Sequence, residues 1–330
     1  WRREHALSHT NLGVLALDEG RPAAALPLLQ EGRRITLTVA PQDRDLQRDA
    51  ANTDGWIANA MYRLGRLKAA EEVRRRQIAF NRNLDPDGRD LPVQEQIAVA
   101  HQQLAQIAMS RGDAQAARAL ATDARAIWAR LRAADPANAF WRQQAMQNAS
   151  TTARLLVESG EIAEGRAMSS QAVAEALEIH RMDPRNREWL WTSVVTALAN
   201  AARVPRENVE AERQLLAEID RLLAYPPTPD KDRSERMGRA QLWAARARLV
   251  AAPERRAAWM QAEQLLTPLS AEADPPARLL HATVLYCVGQ PEGARRLLGL
   301  LAQTEFRTAE MARLARDLAT GGRDSCGPAS

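Results

Sequence analysis

Apolar and small residues recur at three- and four-residue steps along most of this chain, and glycine or proline breaks the rhythm at regular distances. That period predicts helices over about 4–18, from Arg21-Pro22 onward, and over 43–64, 67–84, 91–110, 113–134, 138–159 and 162–182. Gly20, Gly65, Gly112 and Gly160 separate the two helices of each pair, at intervals of 45, 47 and 48. Each pair then ends on a proline, at Pro41, Pro86, Pro136 and Pro184, and an apolar residue follows five positions on, as Leu46, Leu91, Trp141 and Trp189. A glycine at the hairpin turn can take a positive φ without steric cost, and proline bars helical geometry from the residue before it. Asp85, Asp135 and Asp183 are therefore expected to close their helices, with Asn138 and Asn186 as N-caps of the next ones.

Small residues sit at fixed offsets from each turn. Gly13, Ala58, Ala105 and Ala153 lie seven before the turn glycine; Ala25, Ala70, Ala117 and Gly165 lie five after it. Such positions mark where paired helices approach closely, because a larger side chain there would push them apart at a typical cost of about 1–3 kcal/mol. A period of this size means a stacked array in which each hairpin buries its apolar face against its neighbours. Residues 1–204 read as hairpin repeats at about 4–42, 43–90, 91–137 and 138–185, plus the start of another. Residues 205–319 read as more degenerate repeats and a cap: a helix over 205–224, a break at Tyr225-Pro226-Pro227-Thr228-Pro229-Asp230, helices near 231–251 and 254–266, then a returning motif with Ala282, Gly289 and Ala294 in the small positions. Residues 320–330 are expected to be disordered.

Composition agrees with an all-α chain. Only three Phe and three Tyr occur, and Ala, Leu, Arg, Glu and Gln dominate. The net charge of +4 is modest, and of 45 basic residues only Lys68 and Lys231 are lysines, a compositional bias that carries no nucleic-acid signature. No stretch approaches the roughly 20 apolar residues of a membrane span, and no signal peptide opens the chain. It starts at Trp1-Arg2-Arg3 inside a helical pattern, as a fragment of a longer polypeptide would. Cys287 falls in an apolar helix, where it reads as a small core hydrophobe, and Cys326 in a Gly/Ser/Pro tail. Two such cysteines make no disulfide framework, and their pairing stays open.

Two segments carry a family resemblance. Leu131-Arg-Ala-Ala-Asp135-Pro136-Ala-Asn138-Ala-Phe-Trp141 and Ile179-His-Arg-Met-Asp183-Pro184-Arg-Asn186-Arg-Glu-Trp189 resemble a long-helix variety of tetratricopeptide repeat with an L-x3-DP-x-N-x2-W signature. The likeness covers about residues 4–204; Ala40-Pro41 and Asp85-Pro86-Asp87-Gly88 are looser and lack the Trp. It implies a right-handed superhelical solenoid of antiparallel hairpins, similar to repeat regions of bacterial signalling proteins behind serine/threonine kinase or transcriptional-activator domains. In that family the first helix of each hairpin lines the concave side. The resemblance therefore places Thr10, Val14 and Leu17, then Asn52, Asn59, Tyr62 and Arg63, then Gln102, Gln106 and Met109, then Gln147, Ser150, Arg154 and Glu158, and finally Ser193, Thr196 and Asn200 on a partner-binding groove. Carboxamides donate and accept, so they suit an extended peptide backbone, and Arg63 and Arg154 suit an acidic group. The family's lysine and asparagine carboxylate clamp is not reproduced.

Candidate chemistry is sparse. His5 and His9 share a helix face, but no third metal ligand accompanies them. His101, His180 and His281 stand apart from any nucleophile, no phosphate-cradling glycine loop exists, and the kinase triplets His-Arg-Asp and Asp-Phe-Gly are absent. Arg74-Arg75-Arg76 reads as helix exterior beside Glu71 and Glu72; Arg233, Arg236, Arg239 and Arg246 form a candidate stripe on one helix; Trp141, Trp189 and Trp243 fall at core positions. The expectation is a non-catalytic scaffold for a protein or peptide partner, with homo-oligomers open, and with no cofactor, metal, nucleic acid or membrane span. The alternatives are a receptor for a small molecule or signalling peptide, and an enzyme with an unrecognised site. A periplasmic location follows if the parent is a single-span membrane kinase; otherwise the location is cytoplasmic.

Overall fold

A computed structural model of the chain describes residues 1–39, 43–206, 208–228, 233–272 and 274–327. The expected break at Pro41, and Pro229, Asp230 and Lys231, lie outside the described residues. Eight long helices fall within a few residues of their expected spans: α1 (Arg2–Asp18), α2 (Pro22–Val39), α3 (Arg44–Arg63), α4 (Leu67–Leu84), α5 (Leu91–Ser110), α6 (Ala114–Ala134), α7 (Ala139–Glu158) and α8 (Ile162–Met182). The caps explain why they start there. Asp90, Asp113, Asn138 and Asn186 each accept a hydrogen bond from the backbone N–H three residues on, supplying one of the acceptors a helix start lacks.

The hairpin turns share one local geometry. Gly20, Gly65, Gly112 and Gly160 have φ of 78°, 75°, 79° and 87°, values that L side chains rarely adopt. The residue after each glycine reaches back across the turn: Arg21 N–H to Ala16 O at 2.8 Å, and Arg66 to Met61, Asp113 to Ala108 and Glu161 to Leu156 at 2.9 Å. This closes helix carbonyls that would otherwise lack donors. At the other end of each pair, the N–H groups of Asp85, Asp135 and Asp183 make the last helical bonds before proline.

Two compact units follow, Trp1–Pro136 with Thr304–Phe306, and Ala137–Gln303 with Arg307–Ser330. In the first, α1 to α6 pack in chain order, each on the next, and first helices also meet, α1 with α3 and α3 with α5. Leu17, Leu29, Ile57 and Val73 share one core cluster, and Trp128 and Leu131 are buried on α6. The small positions set the helix spacing: a Cβ on Gly13 would stand 2.6 Å from Leu29 Cγ, and Ala25, Ala70 and Ala117 are fully buried.

In the second unit α7 pairs with α8, and the next helix, α9 (residues 187–201), is interrupted. Its middle, Leu190–Val194, is a π-helical turn between Arg187–Trp189 and Val195–Ala201. The extra residue turns Leu190, Trp191, Ser193 and Val194 all inward. Then come α10 (Val209–Leu223), α11 (Arg233–Leu249), α12 (Ala252–Leu266), a 3-10 segment Thr267–Glu272, α13 (Pro275–Val288), α14 (Pro291–Ala302) and α15 (Ala309–Thr320). A Cβ on Gly238 of α11 would lie 2.9 Å from Trp191 Cε3, so glycine lets α11 settle on the π turn. Gly165 plays the same part between α7 and α8, with Val157 Cγ2 at 2.7 Å from a built Cβ.

Two expectations change here. The tail expected to be disordered is ordered through Gly327, because Cys287 of α13 and Cys326 form a disulfide and Ser325 N–H donates to buried Asp317 at 2.7 Å. The last three residues lie outside the described set. Trp243, expected in the core, is half-buried under the Arg246 guanidinium, whereas Trp141 is buried and Trp189 packs partly buried against the α7–α11 core. All described regular structure is helical, and the helices pack in consecutive hairpin pairs. No described helix is long and apolar enough to cross a membrane.

Candidate functional site

Several of the residues expected to line a groove hydrogen-bond to one another or to neighbouring helices within each unit. In the first unit Tyr62 of α3 bonds Ser110 of α5 at 3.0 Å, and Gln106 Nε2 donates to the Tyr62 hydroxyl at 3.3 Å. Arg63 donates to Leu17 O on α1, and Gln102 accepts from Trp128 Nε1 at 3.2 Å. Asn59 accepts from Arg74 Nη2 at 2.7 Å. Thr10 is half-buried beside Gly32, Val14 and Met109 are half-buried, Leu17 is buried, and Asn52 is exposed.

The second unit repeats the arrangement. Gln147 of α7 reaches Ser193 of α9 at 2.6 Å, and Asn200 Nδ2 donates to Ser150 at 3.0 Å. Arg154 reaches Asn200 Oδ1 at 3.3 Å and Glu158 at 3.4 Å. Thr196 bonds its own helix through Thr192 O. Successive first helices are thus tied by side-chain hydrogen bonds 44 to 50 residues apart in sequence. Amides and hydroxyls suit this because each donates and accepts. The period places them opposite one another.

The basic runs take a different form from that expected. Arg74 is buried, 3 % exposed, with its guanidinium on Asn59 and Gln77; Gly55 leaves it room, since a Cβ there would stand 2.9 Å from Nη1. Burial pushes it down to about 10, against the pull of Asp54. Arg76 and Arg33 both face Asp54. Arg239 is likewise buried, 4.9 Å above the Trp191 ring and 2.7 Å from Glu235, while Arg246 pairs with Asp220 and Glu254. These arginines hold hairpins together and make no one-sided basic surface. His5 and His9 approach to 3.1 Å, Nε2 to Nε2, and no group of three metal-ligating side chains occurs among the described residues.

One cluster escaped the sequence reading. Arg154 of α7, Arg203 after α9 and Arg248 of α11 converge with Glu310 and Arg313 of α15. Arg203 Nη1 lies 3.1 Å and Arg248 Nη2 3.7 Å from the Glu310 carboxylate. Arg248 also stacks 5.1 Å over Trp259 and donates to Ala244 O. Burial alone would raise the Glu310 carboxyl, but Arg203, Arg248, Arg154 and Arg313 outweigh it and hold it down to about 2. Burial, then Arg203, pushes Arg248 down to about 9. A signal was present: Arg154, Arg203 and Arg248 are spaced 49 and 45 apart, close to the repeat period. The Glu310 partner was not foreseeable, because α15 lies outside the repeat.

No protein-family model matches the chain, and no curated protein matches it. Among solved structures it is similar to a tetratricopeptide repeat protein from Parabacteroides merdae, at 12 % identity over 96 % of this chain and 100 % of that one, with a TM-score of 0.37. It is also similar to yeast Tom70, at 10 % identity over 97 % and 96 % of the two chains, with a TM-score of 0.21. Likenesses at this level add no argument about activity. The helical class rests on the hairpins themselves.

Proposed function

We propose that the chain is a non-catalytic scaffold that binds a protein or peptide segment along the first-helix face of its hairpins. The observation that carries this reading is the ladder of carboxamides and hydroxyls joining α3 to α5 and α7 to α9. Its serines, Ser110, Ser150 and Ser193, are buried and hold the partly exposed Tyr62, Gln147 and Asn200 in place, so a bound backbone meets side chains already fixed rather than ones it must order. At its edges Asn52 is exposed, and Arg154, partly exposed, is held by Asn200 and Glu158. The wider role proposed is the sensory or docking region of a bacterial signalling protein, such as a transmembrane serine/threonine kinase.

A screen of immobilised random dodecapeptides tests the groove. Peptides retained by the wild type are expected to be lost by Asn52→Ala/Arg154→Ala while the helical melt is unchanged. Equal recovery by both proteins would remove the first-helix face as the binding surface. Asn59 is a poorer choice for this test, since its loss strips buried Arg74 of an acceptor.

A further inference from the structure

We propose that Arg154, Arg203, Arg248 and Arg313 form an anion site in the second unit, half filled by the chain's own Glu310, whose external occupant is an acidic side chain of the bound peptide. The proposal rests on the scaffold reading above and adds the chemistry of the ligand. Among the described residues, four guanidinium groups face two carboxylates, Glu158 and Glu310, which leaves a surplus of two positive charges. Arginine does not shed its proton at neutral pH, so only an anion can balance that surplus.

The unmet demand is visible atom by atom. Arg203 Nε is buried and has no hydrogen-bond partner. Arg248 is 7 % exposed, and its Nη2, 3.7 Å from Glu310, is beyond hydrogen-bond reach. Arg154 reaches Glu158 only at 3.4 Å. A buried charged donor without an acceptor is costly to leave unmet, so these groups favour a second carboxylate. Entry is open on one side, because Arg313 and Glu158 are exposed. Glu310 itself comes from the first turn of α15, a helix fastened beyond its far end by the Cys287–Cys326 disulfide. It occupies the cluster as a tethered ligand, and an incoming carboxylate shares or displaces it.

The test uses the full chain and two fluorescein-labelled probes, a ten-residue alternating Ala-Glu peptide and its Ala-Gln counterpart, read by anisotropy up to millimolar protein. The Glu probe is expected to bind at least about fivefold tighter than the Gln probe, with the difference shrinking at high salt. Glu310→Gln frees guanidinium donors and is expected to tighten the Glu probe by about fivefold; Arg313→Gln, at an exposed position, is expected to weaken it by a similar factor. Equal binding of both probes, unmoved by either substitution, overturns the acidic site and leaves the scaffold reading standing. Binding of neither probe likewise overturns the acidic site, while the scaffold reading stands or falls on the dodecapeptide screen. Inorganic phosphate is the competing arm: if it binds with the same dependence on Glu310 and Arg313 while the Glu peptide does not, the site belongs to a free phosphate and the proposal fails.

Discussion

Replacing Cys326 by serine is expected to release α15 while leaving the hairpins before it intact. The disulfide joins residues 39 apart in sequence, from α13 to the turn after α15. In the chain-entropy account, a loop of that length removes about 13 cal/mol/K from the open state, or about 4 kcal/mol at 25 °C. That is nearly a thousandfold in the opening equilibrium of the segment. The remaining anchors are fewer: Leu314 is fully buried, worth about 1.5–3 kcal/mol, and the Tyr286 hydroxyl donates to Asp317 O at 3.0 Å. Glu310 adds its ion pairs at the other end. Hydrogen exchange reads the outcome directly. Amides of Ala309–Thr320 in Cys326→Ser should exchange about a hundredfold to a thousandfold faster than in the oxidised protein, with α3 to α6 unaffected. Equal protection of α15 in both forms would show that packing and ion pairs alone hold it, and the reasoning would fall.

Three further outcomes follow from burial and charge. Trp128→Ala should cost about 3–5 kcal/mol in urea unfolding, since the ring is 1 % exposed and its Nε1 serves Gln102; a loss under 1 kcal/mol would mean the site collapses around the gap. Burial would raise the Glu235 carboxyl, but hydrogen bonds from Thr228, Arg239 and Arg187 hold it down to about 2. A depressed carboxylate stabilises the fold above its ordinary range near 4.5, and that stability disappears as pH falls toward 2, on the order of 3 kcal/mol at most; Glu235→Gln should flatten the acid limb of a stability profile, and an unchanged limb would assign it elsewhere. Burial likewise lowers His101, His180 and His281, so their neutral forms favour the fold above about pH 6.5 and charging opposes it below; NMR titration should find all three below 6.5, and any one above it would contradict the burial argument.

The sequence by itself determined the local grammar of this protein. Turn glycines with positive φ, Asp-Pro stops and Asn138 and Asn186 caps act within a few residues, so their consequences are readable without a fold. Ala25, Ala70 and Ala117 showed where helices touch, because close approach constrains side-chain size at a fixed offset. Some of the residues assigned to a groove hydrogen-bond across neighbouring helices, although their period said only that they share a face, not that Tyr62 would bond Ser110 or Gln147 reach Ser193. Tertiary structure alone decided the rest. Arg74 looked like solvated exterior, yet Asn59 of the neighbouring helix accepts from it and Gly55 leaves it room; Arg239 adds the remote Leu223 and Tyr225 carbonyls to Glu235 of its own helix, and such distant groups make a buried guanidinium tolerable. The π turn at Leu190–Val194, the Cys287–Cys326 bond and the seat of Glu310 among the arginines each depend on elements brought together from far along the chain. Periodicity reports what a residue's own helix requires of it; it is silent on which charge or thiol a remote helix will deliver.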